Sequence, residues 1–532
     1  MEVAIFFTAP QKMALLVTIS VVMLFGGCRK RDQAVTTYHN DNLRTGWNSE
    51  EEELTYSRVQ SARFGLIQNV VLDDQVDTQP LVVPRVNIHT GPSPGVHDVV
   101  YVATEGNTIY AIDAASGQIL LNPNFGNPVP LPLGCSNNGP NVGIDGTPVI
   151  DRATRTMYVI IYTLEGGTPV YRIHALDLSS LTDKVPPVVV SASHKLSNNS
   201  TFLFNATYQR QRPGLLLSKG NVYAGFGSFC DFAANVSRGW LLGWNGGTLA
   251  PLAANQLDDT QATSPNSFFL SSIWMSGYGL AADPEGNIFF ITGNSDYSGT
   301  TYDGVSSIQE SAVKVAPDLS KVLDIFTPSN QGNLDQTDND FGSAGALLLP
   351  PQEGSTPHLA AAAGKDGRMF VLNRNSMGGY TPGGPDKVVT QASIGGCWCG
   401  QSYFRNKIVS SGGSNVILWR IQTSPSVSLQ KEGTSAGIGG AQDPGFFTSV
   451  SSDKDDHPII WAVSRPNNSS PADISLFAFK GEPSSSGTLD TLFQAPAGTW
   501  PNTGGNANIV PTVANGKIYV ASNKQLSIFG MH

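Results

Sequence analysis

Apolar residues along the chain come in short runs, and the runs repeat. The clearest unit covers residues 99–117, VVYVATEGNTIYAIDAASG, in which two apolar strands flank a Glu-Gly-Asn turn and a second turn ends in Gly117. Such runs of four to eight residues, rich in Val, Ile, Tyr and Phe and bounded by Gly, Asn and Asp, are strand signals. Similar units recur at 146–177, 214–245, 278–326, 345–374, 402–432, 446–480 and 508–530. Eight copies spaced about 60 residues apart are too long for the 40–45-residue WD40 blade, and no helical stripe of period 3.6 is visible after residue 28. The pattern predicts an all-β fold: an eight-bladed β-propeller of four-stranded antiparallel blades. The last copy has three strands and then stops. The strand-like segment 64–73, FGLIQNVVLD, is expected to supply the fourth and close the ring, which removes an open sheet edge. An open array of β-sandwiches is the alternative.

Composition agrees with many short turns, for the 532 residues include 56 glycines and 34 prolines. The formal net charge is −10, and an acidic chain of this kind is not suited to a nucleic-acid partner. The N-terminus carries different information. Lys12 precedes the apolar run 13–25, which is of signal-peptide length and too short to span a bilayer comfortably. It ends in Leu24-Phe25-Gly26-Gly27-Cys28, which resembles a bacterial lipobox, although Phe25 departs from the usual small aliphatic residue. The expected organisation is a signal peptide over 1–27, a tether over 28–37 beginning at a lipidated Cys28, and one propeller over 38–532. An ordinary signal peptide or an uncleaved anchor are the alternatives. Each places the protein outside the cytoplasm, and lipidation adds a membrane as partner.

Without Cys28, four cysteines remain: Cys135, Cys230, Cys397 and Cys399. An exported chain permits disulfides. The Cys397-Trp398-Cys399 sequence fits two separate partners, with links to Cys135 or Cys230 favoured; a bond within the pair and a soft-metal site are alternatives. No Cys-x-x-Cys-His haem motif occurs, the histidines lack zinc-ligand spacing, and no Gly-x-Ser-x-Gly elbow marks a hydrolase.

Several motifs resemble the quinoprotein alcohol dehydrogenases. Ala111-Ile112-Asp113-Ala114-Ala115-Ser116-Gly117 is similar to the docking motif between blades of that family, with Leu121 where the motif has Trp. The resemblance implies pyrroloquinoline quinone and Ca²⁺ held at the propeller axis, and oxidation of an alcohol or sugar. Ca²⁺ takes hard oxygen ligands, and a nearby carboxylate takes the hydroxyl proton as hydride leaves for the quinone. Thr292-Gly293-Asn294 is similar to the family's turn whose Asn ligates the metal. Asp231, before Arg238-Gly239-Trp240, stands where the family has a ligand Glu. Asp338-Asn339-Asp340-Phe341-Gly342 resembles the segment ending in the catalytic Asp, which implies Asp340 as base and metal neighbour. Lys365-Asp366-Gly367-Arg368-Met369-Phe370-Val371-Leu372-Asn373-Arg374 closely resembles the run whose cation donates to the quinone oxygens, giving Lys365 that role. Trp274 is expected beneath the quinone ring, and Trp398 lies in a Gly-rich segment facing the cofactor.

Structural readings of the same residues stay open: a solvated acidic turn at Asp335, Asp338 and Asp340, a hairpin turn at Lys365, and plain turns at Asn294 and Asp231. The family's adjacent Cys-Cys pair is missing. Tyr38-His39-Asn40-Asp41 resembles an N-terminal segment that packs on propellers of related exported proteins. Two functions are therefore carried forward: a quinone-dependent dehydrogenase passing electrons to a separate acceptor, and a cofactor-free propeller acting as a binding or assembly scaffold.

Overall fold

A computed structural model of the chain describes residues 33–232, 236–261, 271–295 and 302–532. The signal-peptide segment and Cys28 lie outside the described residues. Eight small antiparallel sheets follow one another along the sequence as the blades of a propeller. Blade 1 is typical, with strands Leu81–Ile88, Gly95–Ala103, Ile109–Asp113 and Ile119–Leu121 in spatial order. Its first strand was missed in the repeat, which the sequence shows only from residue 99. Arg85 there has φ 54° and interrupts the register between Val83 and Val86.

The inner strands are buried on both faces, since each blade packs against a neighbour on either side. That is why Thr156–Glu165 reads TMYVIIYTLE and Ile288–Ile291 reads IFFI, runs without polar alternation. Outer strands have one wet face and alternate, as Thr491–Thr499 does. The ring closes as expected. Phe64–Gln75 pairs antiparallel with the second half of Lys517–Met531, although the two segments lie at opposite ends of the chain. Lys517–Met531 itself turns back at Lys524 (φ 56°), which brings Gly530 against Gly516 and Lys517. Helix is confined to short pieces, but Gln331–Thr337 is a real α-helix that the strand pattern gave no sign of.

Residues 33–51 wind once around the inside of the ring and touch every blade in order. Val35 pairs with Val82 of blade 1, and Thr36 O accepts from Ile150 N of blade 2 at 2.7 Å. Arg44 reaches Leu215 O of blade 3 at 3.1 Å. The carbonyls of Asn42, Leu43, Thr45 and Gly46 accept from Ala282, Leu348, Tyr403 and Val450 of blades 4 to 7 at 2.7–2.9 Å. Asn48 Nδ2 donates to Val513 O of blade 8 at 3.0 Å. This strap corrects the inner boundary of the expected tether, for Val35 and Thr37 are buried against the blades. Its centre is held by Arg44, which is fully buried and donates to Leu280 O (2.7 Å), Thr37 Oγ1 (2.7 Å), Tyr38 O (2.7 Å) and Asp41 O (3.2 Å) besides Leu215 O. Tyr278 fills the axis beside it and donates to Arg44 O at 2.9 Å. A Cβ at Gly345 or Gly400 would lie 1.9 or 2.1 Å from the Tyr278 ring, so both positions must be glycine.

His39 lies in the strap and is completely buried. Its Nδ1 is 3.2 Å from Arg44 O, Nε2 has no partner, and the ring stacks on Tyr38 at 5.0 Å. Burial, helped by the Arg44 charge, pushes its pKa from 6.5 down to about 4. The unfolded chain therefore takes up this proton first. Stability contributed by neutral His39 is full above pH 6.5 and is lost as pH falls toward 4, by about 3 kcal/mol in total. Urea unfolding at pH 7 and pH 4.5 should show the wild type losing more stability than His39→Gln over that interval. Parallel losses would assign no such role to His39.

Candidate functional site

In antiparallel blades, the turns between second and third strands and the connections between successive blades emerge on the same rim. The candidate residues lie in these segments. Asp231 follows Asn221–Ser228, the second strand of blade 3, and Lys365 follows Leu359–Ala363 in blade 5. Trp274, Asp340 and Trp398 lie on connections into blades 4, 5 and 6. Together they line one cavity of about 200 Å³, which Asn137, Arg210, Arg212, Asp338 and Asn506 also face.

Lys365 is at its centre. Nζ lies 3.1 Å from Asp340 Oδ2 and 3.1 Å from Asp338 Oδ1, with Asp340 buried and Asp338 mostly exposed. The same ammonium sits 5.5 Å from the Trp274 ring and 5.3 Å from the Trp398 ring, within cation–π range of both. Burial opposes the Lys365 charge, but the carboxylates of Asp340 and Asp338 outweigh it and raise its pKa. Asp340 moves the other way from an ordinary carboxyl. Burial lifts its pKa to about 7 against the pull of Lys365, and its Oδ1 is buried with no hydrogen-bond partner.

Asp231 is the second acid. Its pKa is also raised by burial, and Ser228 Oγ donates to Oδ1 at 2.6 Å. Asn294 does not line the cavity. It stands one contact behind, its Nδ2 donating to Asp338 Oδ1 at 3.1 Å, so the loop 338–340 links it to Lys365. The acidic turn of Asp335, Asp338 and Asp340 is divided in the structure: Asp338 is open to solvent, whereas Asp335 and Asp340 are buried. Asp338 caps the Gln331–Thr337 helix in the left-handed region (φ 55°), and this turn carries Asp340 into the cavity.

The opposite wall was not anticipated. Arg210 Nε pairs with Asp145 Oδ2 at 2.6 Å, and its NH1 donates to Asn137 Oδ1 at 2.8 Å. Arg212 lies 5.8 Å from the Trp274 ring. The only available signal was Arg210-Gln211-Arg212, a pair of cations in an acidic, weakly charged chain. Behind Arg210, Asp77, Glu105 and Asp145 bring carboxylate oxygens within 4.8 Å of one another. Donors already serve this triad: Asn138 Nδ2 and Gly143 N meet Glu105 at 2.7 and 2.6 Å, and Gln75 Nε2 meets Asp77 at 2.7 Å. Glu310 was also missed. It is buried beside the 340–341 peptide, taking Phe341 N on Oε2 at 2.6 Å, while Oε1 has no partner. Burial and the neighbouring Asp340 hold its pKa well above the usual range.

The disulfides correct the expected pairing. Cys135 joins Cys230, and Cys397 joins Cys399 across Trp398. Cys397 and Cys399 are both buried next to Gln401, and their bond to each other leaves Cys135 and Cys230 to pair.

No family model matches the chain, and no curated protein does. Solved structures match it over nearly its full length. A quinohemoprotein alcohol dehydrogenase from Comamonas testosteroni superposes with a TM-score of 0.59 at 13% identity, over 93% of this chain and 80% of that one. One from Pseudomonas putida HK5 gives 0.61 at 14% identity, over 94% and 80%. A europium-containing methanol dehydrogenase gives 0.58 at 12% identity, over 94% and 99%. The chain is a quinoprotein alcohol dehydrogenase-like propeller in its fold. In this quinoprotein-like propeller, the turn of blade 1 carries Leu121 where the expected docking motif would place a tryptophan. Leu121 pairs with Ala111, while Asp113 Oδ1 accepts from Ala115 N, Ser116 N and Ser116 Oγ at 2.7–3.1 Å to fix the turn.

Proposed function

We propose that this propeller is a quinone-dependent dehydrogenase that oxidises an alcohol or a sugar outside the cytoplasm, where the expected lipid at Cys28 would tether it to a membrane. The observation that supports this most is the meeting of Asp231, Trp274, Asp340, Lys365 and Trp398 around one cavity.

The side chains suit pyrroloquinoline quinone and Ca²⁺. Lys365, Arg210 and Arg212 give a flat polyanion three cations, Trp274 and Trp398 give it aromatic faces, and the unpartnered Asp340 Oδ1 is a buried hard ligand atom. Asp231 and Asp340 would hold the metal, with Asn294 brought in from behind Asp338. The quinone, when bound, supplies hydride-accepting chemistry. Asp340 would accept the substrate's hydroxyl proton, since it is buried at the cavity and one of its carboxylate oxygens has no partner there. Lys365 would hold its positive charge in the cavity, where it could offset negative charge on a bound quinone. Trp274 and Trp398 keep water from that charge. With no haem motif in the chain, electrons would leave to a separate acceptor.

Mixing the purified protein with the quinone and Ca²⁺ should give about one bound quinone per chain by absorbance, and dye reduction with some member of an alcohol and sugar panel. Asp231→Ala and Asn294→Ala should lose both. Absence of binding at large quinone excess would discard this reading in favour of a cofactor-free scaffold.

A further inference from the structure

We infer that the Cys135–Cys230 disulfide is a positioning element for Asp231, so that breaking it weakens cation binding at the pocket; this rests on the metal-site reading above. The turn Phe229–Cys230–Asp231–Phe232 is closed by Phe232 N donating to Phe229 O at 2.9 Å. Both of its central residues are left-handed, Cys230 at φ 49° and Asp231 at φ 53°. Two consecutive left-handed positions are normally filled by Asn and Gly, because a Cβ is disfavoured there. A Cys-Asp pair does not choose this turn by itself.

What holds it is visible on both sides. Phe229 is completely buried, and Cys230 is bonded to Cys135, 95 residues earlier in the connection between blades 1 and 2. Cys135 is itself buried, with its N–H on Pro132 O at 2.9 Å. Two residues later, Asn137 accepts from Arg210 at 2.8 Å, so the bond ties the cationic wall of the cavity to the turn bearing Asp231. In that turn, the Asp231 carboxyl meets Ser228 Oγ at 2.6 Å and lines the cavity. Cut the link, and the turn relaxes toward right-handed or extended backbone. Asp231 then swings off Ser228 and out of the cavity.

Terbium is a suitable probe, since it takes the oxygen ligands of Ca²⁺ and its emission is sensitised by a neighbouring tryptophan, here Trp274. Luminescence titration of the full exported chain should show Cys135→Ser/Cys230→Ser binding Tb³⁺ about tenfold more weakly than the oxidised wild type, equivalent to about 1.4 kcal/mol. Cys135→Ser/Cys230→Gly should recover most of the loss, since glycine accepts the left-handed turn unaided. A disulfide that only stabilised the fold would give no such rescue. Equal affinity in the wild type and the Ser/Ser variant would overturn the inference. Were the Ser/Ser chain not to fold, wild type reduced by a thiol under native conditions replaces it, and undiminished affinity there overturns the inference equally. Lack of Tb³⁺ binding by the oxidised wild type would instead refute the metal-site reading on which it stands, so the two failures are distinct.

Discussion

Replacing Arg44 by methionine should lower the unfolding free energy by about 3–4 kcal/mol, near the upper end for a single substitution. The guanidinium serves four backbone carbonyls and Thr37 Oγ1, all within 3.2 Å and away from solvent. Methionine fills similar space and donates nothing, so these acceptors become buried and unpaired. The effect is larger than that of a surface ion pair because no water can take over. A Cβ at Gly279 would lie 2.9 Å from Arg44 Nε, which shows how tightly blade 4 closes on the strap. Urea denaturation measures the loss directly. A midpoint within the spread of surface variants would show that the strap merely lies against the blades.

Asp340→Asn should reduce quinone-dependent dye reduction by about 10²–10⁴-fold, the usual contribution of a positioned base. The amide keeps the shape and one oxygen for a cation, so bound quinone, read by absorbance, should persist. That separation distinguishes loss of the proton acceptor from collapse of the site. Lys365 would lose one of its two carboxylate partners and retain Asp338 at 3.1 Å. Activity above a tenth of the wild-type value would remove Asp340 from the role of base.

Blade number, strand content and ring closure were legible because each rests on local pattern. A two-face-buried strand must be apolar throughout, and a three-stranded last repeat must find a partner elsewhere. The strap was not legible. Residues 33–51 have neither period, and their order comes from contacts with eight separated strands. Asp231, Asp340 and Lys365 were visible only through motif resemblance, since carboxylates in turns are ordinarily solvated. Only burial distinguishes Asp340 from exposed Asp338, two residues away. Arg212 is marked only by its pairing with Arg210 in an acidic chain and Glu310 has no local signature; the significance of both comes from the neighbours that the ring supplies. The disulfide pairing was misjudged for a related reason. A Cys-x-Cys spacing is too short for most bonded geometries, and nothing in the chain indicates that Cys135 and Cys230 share a rim.

The strap also sets a timetable for synthesis. Residues 33–51 and 64–75 leave the ribosome before any of the blades, yet Asn48 waits for Val513 and Phe64 for Met531. A nascent chain lacking its final blade keeps a bare strand edge and a half-anchored strap, both hazards for aggregation. Such distant pairings make folding slow and leave native structure to the finished polypeptide. Deleting the last 20 residues should therefore cost the whole ring, and not a single blade.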